Sequence, residues 1–95
     1  MHDYLIKQIM DELNGAVDYA KKAVEVKMDH PSWCRTFMHM SDMEASHASN
    51  LKKMYEEAKV DSEEYRDGYK RIIKMFADTM EEITKIKKML HYWDK

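Results

Sequence analysis

The sequence is 95 residues long, 44% hydrophobic and 36% charged, with 16 basic against 18 acidic residues. That length makes one domain with a thin core, and two Gly and one Pro leave few breaks in a nearly all-helical chain. A formal charge of −2 without a basic block excludes nucleic acid as a partner, and no apolar run reaches the ~20 residues of a membrane span.

The first predicted helix covers about residues 3–28. Leu5, Ile9, Glu12, Ala16, Tyr19, Ala23 and Val26 recur at alternating steps of four and three, which places them on one face. Ile6, Met10, Leu13, Val17, Ala20 and Val24 form an adjacent row, so the buried face should be wide. Gly15 in mid-helix costs ~1 kcal/mol against Ala and suits the close approach of a neighbouring helix. The opening MHDYLIKQIMDEL is acidic and periodic, unlike a secretory signal. Cys34 stands alone and cannot form an internal disulfide, so a cytoplasmic location is expected.

Asp29-His30-Pro31-Ser32 is the first break, with Asp29 or a neighbour as cap and Pro31 in the next helix's first turn. The second helix should span about residues 32–59. Trp33, Phe37, Met40, Glu44, His47, Leu51, Met54 and Ala58 form its stripe. Asp61 with Glu64 has the pattern of a capping box opening a third helix over about residues 62–93. Tyr65, Tyr69, Ile72, Phe76, Thr79, Ile83, Ile86, Leu90 and Trp93 form the third stripe. Both links are short, so consecutive helices should run antiparallel. The expected fold is all-α: an antiparallel helical hairpin plus a long third helix.

Three residues do not belong on apolar stripes. Burying a carboxylate such as Glu12 or Glu44 is costly unless a partner neutralises it. Glu44 and His47, at i and i+3 and aimed into a bundle, have the geometry of a metal half-site. Counted from a turn near His30, Glu12 lies 18 residues before, and Glu44 and His47 lie 14 and 17 after. An antiparallel pair then brings the three within ~6 Å of one level. The third helix offers no ligand there, since Ile73 to Phe76 occupy the matching level and Asp78, Glu81 and Glu82 lie off the stripe. Two carboxylates and one imidazole make half of a di-metal carboxylate site. The plainer reading is a buried ion pair or an exposed helix edge. His39 reads as a surface group or an outer ligand, and the ten Met as adaptable filler.

In these residues the chain resembles the ferritin-like family, in particular its rubrerythrin and encapsulated-ferritin branches. The likeness rests on Glu12 followed seven residues later by Tyr19, on Asp42-x-Glu44-x-x-His47 followed by Ala48, and on the 32-residue gap from Glu12 to Glu44. It covers roughly residues 5–58; the third helix resembles nothing specific. Full-length members carry two such halves in one four-helix bundle, whereas encapsulated ferritins complete theirs by pairing two chains about a twofold axis. The resemblance therefore implies a homodimer or larger even-numbered oligomer. An encapsulating shell is a further implied partner, although HYWDK is not recognisable as a shell-targeting extension.

The resemblance implies that Glu12 and His47 each hold one metal terminally, that Glu44 bridges two, and that a twofold mate supplies the same three. Carboxylates with one imidazole per metal suit Fe(II), Mn(II) or Zn(II), and the family favours iron. The implied activity is oxidation of Fe(II), as a ferroxidase or a peroxide-consuming di-iron site. Tyr19 is expected to orient a ligand carboxylate by a hydrogen bond. The competing expectations are a metal-free helical interaction module, pairing through its third helix, and a vestigial ferritin-like protein without turnover.

Overall fold

The computed structural model describes residues 2–93, with side chains up to His91. Three helices follow one another: α1 His2–Val26, α2 Pro31–Glu57 and α3 Glu63–Trp93. Among the described residues there is no strand, and no helix is long and apolar enough to cross a membrane. The bundle is 50 Å long and 17 × 16 Å across. The contacts Ser41–Ala16, Lys87–Asp42 and Lys21–Glu82 make α2 antiparallel to both neighbours and α1 parallel to α3.

The helices start and stop within two residues of their expected bounds, but their caps differ. Pro31 does occupy the first turn of α2. The cap position falls on His30, whose side chain makes no capping bond, because Pro31 is the first helical residue and Asp29 lies one place too early. Its backbone oxygen accepts from Trp33 and Cys34 instead. Likewise α3 begins one residue later than the Asp61 pattern implies. Ser62 is the cap, its Oγ accepting the Tyr65 N–H at 3.1 Å, while Asp61 pairs with Arg66 at 2.8 Å.

On α1 the expected face is the buried one: Leu5, Ile6, Ile9, Leu13, Ala16, Ala20 and Ala23 are all core. On α2 the centre of the buried face is displaced by one residue. The fully covered positions are Cys34, Ser41, Ala48 and Tyr55, spaced seven apart. The expected stripe is one edge of that face, where Trp33 and Met54 remain 52% and 51% exposed. Small side chains explain the displacement. Ser41 Oγ donates to the Ala16 carbonyl at 2.7 Å, and Ala48 packs with Leu5, Ile9 and Leu13 further along the same seam. A helical carbonyl has a second lone pair for such a bond.

The core falls into two clusters along the axis. One joins Leu5, Ile9, Leu13, Ala48 and Tyr55 to Tyr65 and Ile72. The other joins Ala16, Ala20, Ala23 and Cys34 to Ile83, Ile86 and Leu90. Of the α3 stripe, Tyr65, Ile72, Ile83, Ile86 and Leu90 are buried and Tyr69, Phe76 and Thr79 half-buried, while the Trp93 side chain lies outside the described ones.

The α2–α3 end is closed by a reciprocal clasp. Tyr55 donates to the Tyr65 carbonyl at 2.8 Å and Tyr65 donates to the Tyr55 carbonyl at 2.9 Å, with rings stacked 4.6 Å apart. Gly68 makes room for it. A Cβ there would collide with the Tyr55 hydroxyl and lie 2.8 Å from Ile6 Cδ1. Gly68→Ala should therefore lose about 1–3 kcal/mol through overpacking, although an Ala gains ~1 kcal/mol of helix propensity. A lower urea midpoint at unchanged slope is the expected readout.

Candidate metal centre

The tight α1–α2 seam fixes the level at which polar groups meet. Ser41 is bonded to Ala16, so Glu44, one turn after Ser41, faces Glu12, one turn before Ala16. Glu12, Glu44 and His47 each offer one ligand atom, and the three atoms lie within 4.8 Å of one another. The Nδ1 atom of His47 is 3.6 Å from Glu12 Oε2 and 3.8 Å from Glu44 Oε1. These separations exceed hydrogen-bond length. They fall inside the roughly 3.0–4.2 Å expected between two ligands that each stand ~2.1 Å from one ion.

Burial is graded across the group. The Glu12 and Glu44 side chains are 24% and 27% exposed, and His47 is 51% exposed. The stripe expected to be buried is only partly so at this level, and the cluster sits at the edge of the seam. No α3 residue joins it among the described residues, in line with the sequence.

The carboxyls perturb one another. Glu44 holds its proton more tightly than usual, first through a hydrogen bond shared with Glu12, then through burial and the Glu12 charge, with His47 opposing. Two carboxyls can share a hydrogen bond only while one of them keeps a proton. Once both ionise, Glu12 Oε2, which is buried, has no donor among the described residues. That orphaned oxygen, facing a second carboxylate and an imidazole nitrogen, is the electrostatic setting a cation would relieve. The residues present fit a metal.

The other candidates lie apart from this group. Tyr19 stacks on Phe37 with ring centroids 6.2 Å apart, and no hydrogen bond links it to Glu12 or Glu44 among the described residues. Asp42, part of the Asp-x-Glu-x-x-His pattern, turns toward α3 and pairs with Lys87 at 2.9 Å. His39 is exposed and shares a groove with Arg35, Asp42 and Lys87. That groove includes none of Glu12, Glu44 and His47. Ser41 was not singled out from the sequence. Its one legible signal is a polar residue exactly between Cys34 and Ala48 in a seven-residue repeat.

Comparison with known proteins found no match: no family pattern, no curated protein and no solved structure is significantly similar to this chain. The chemistry of the site thus stands on its own geometry.

Unfolded, Glu44 ionises near 4.5; folded, it does so at higher pH. Above pH 4.5 the folded chain therefore holds a proton that the unfolded chain has released, and stability falls as pH rises. The favourable contribution is complete below that value and is lost as pH passes the folded one. Chelator-treated protein should lose melting temperature across this window, and Glu44→Gln should flatten the dependence.

Proposed function

We propose that the protein binds iron through Glu12, Glu44 and His47, and that two copies pair about a twofold axis to oxidise Fe(II) at a shared di-metal site. The buried Glu12 Oε2, without a donor once both carboxyls ionise and facing Glu44 and His47, carries this reading. Hard oxygen donors with one imidazole suit Fe(II), with Mn(II) and Zn(II) as competitors. When bound, iron supplies the one-electron chemistry by which Fe(II) passes electrons to dioxygen or peroxide. The protein's part would be to hold and to neutralise: Glu12 and His47 would each hold a metal, Glu44 would be shared, and the two carboxylates would offset the charge. Metal competes with the proton that Glu44 holds more tightly than usual, so uptake should strengthen as pH rises through its titration.

Two features support completion by a second copy. Three protein donors leave a di-metal site half built. On α2, Trp33 and Met54, in seven-residue register with His47, are also left 52% and 51% exposed. A four-helix arrangement of two α1–α2 hairpins would cover this edge and place the two triads together.

A metal-free interaction module is the second reading, favoured by the proton the two carboxyls can share without any ion. Anaerobic Fe(II) titration of the apo-protein on a light-scattering column, followed by air, separates the two. About one iron per chain, a dimeric or larger even-numbered mass and a transient Fe(III) absorbance are expected. Glu44→Ala should abolish uptake. Metal should also raise the wild-type melting temperature by mass action. An absence of uptake, with mass and melting temperature unchanged, would leave the interaction module.

A further inference from the structure

Gly15 is the one α1 residue whose missing side chain is filled by a ligand. A Cβ at this position would lie 2.9 Å from Glu44 Oε2, 3.6 Å from its carboxyl carbon and 3.7 Å from its Cγ. The Glu44 carboxyl therefore rests across the α1 backbone, in the space that any other residue at position 15 would occupy. Its two oxygens are divided by this placement. Oε1 is the atom 3.8 Å from His47 Nδ1, and Oε2 is the atom over Gly15.

The helix itself has no use for this glycine. Gly15 has no positive φ, and it lies in the interior of a 25-residue helix. There Ala is the favoured residue and glycine is a penalty. Ala16, Ala20 and Ala23 are the fully covered small residues of α1, whereas Gly15 is half-buried beside them. Glu44 is the side chain that takes the room.

We infer that Gly15 is a positioning residue for metal binding: its bare backbone is what lets Glu44 lie across α1 with Oε2 over the glycine and Oε1 turned toward His47. The inference rests on the metal reading above. An added methyl would meet the far end of a flexible side chain, so the fold can absorb it by swinging Glu44 away. The fold then improves while the site degrades, and a merely structural glycine would not separate the two in that direction.

Gly15→Ala and the exposed-neighbour control Asn14→Ala test this beside wild type, with anaerobic Fe(II) and spectroscopic Co(II) titrations and melting of the metal-free proteins. Gly15→Ala should melt roughly 4–8 °C higher without metal, as the helix gains an Ala. Its Fe(II) and Co(II) affinity should fall about 10–100-fold, with an altered Co(II) absorption spectrum. Asn14→Ala should bind both metals as wild type does. Wild-type affinity and an unchanged Co(II) spectrum in Gly15→Ala would overturn the inference. So would equal weakening in Asn14→Ala, which would trace the effect to the helix. If wild type itself takes up neither ion, the metal reading falls and this inference falls with it, and the two failures are told apart by which protein fails.

Discussion

The closeness of α1 and α2 is the constraint on which the rest of the structure depends. Ala16, Ala20 and Ala23 on one helix, with Ser41 and Ala48 on the other, let the backbones approach until a serine hydroxyl reaches a main-chain carbonyl at 2.7 Å. A hydrogen bond of that kind fixes both separation and register. A slip by one turn would replace Ser41 with a residue that cannot make it, and would carry Glu44 about 5 Å from Glu12. The polar cluster is thus a consequence of the seam. It is assembled by packing one turn away, where the groups involved have no chemistry of their own.

That arrangement has an electrostatic cost. Two carboxyls face one another beside a half-exposed imidazole, and Glu44 answers the conflict by holding its proton more tightly than usual. The apolar clusters on either side, one around Tyr55 and Ile72 and one around Ile83 and Leu90, supply the stability that tolerates it. The Tyr55–Tyr65 clasp closes the far end of the bundle, and the ring of His2 packs against both tyrosines at 5.3 and 5.2 Å.

Much of this was legible in the residue pattern. Alternating steps of four and three fixed three helices, and two short links fixed their directions. Counting residues from the first turn brings Glu12, Glu44 and His47 to one level, and the 3.6 and 3.8 Å separations agree with that. The α2 stripe was centred one residue away from the true seam, because large apolar side chains weigh most in any periodicity and Ser41 and Ala48 weigh little. The caps went astray for a local reason. Asp29 and Asp61 are strong capping types, but Pro31 and Ser62 determine where the helices begin.

The sequence by itself determined the helices, their order and the three polar residues that interrupt apolar faces, because periodicity and residue type are local properties. Only the tertiary structure decided how exposed those residues are, that Asp42 and His39 turn toward α3, and that Tyr19 stacks on Phe37. It also decided what Gly15 is for. A missing side chain acquires meaning only from the atom that enters its place, and no pattern along one helix can show what a second helix will put there.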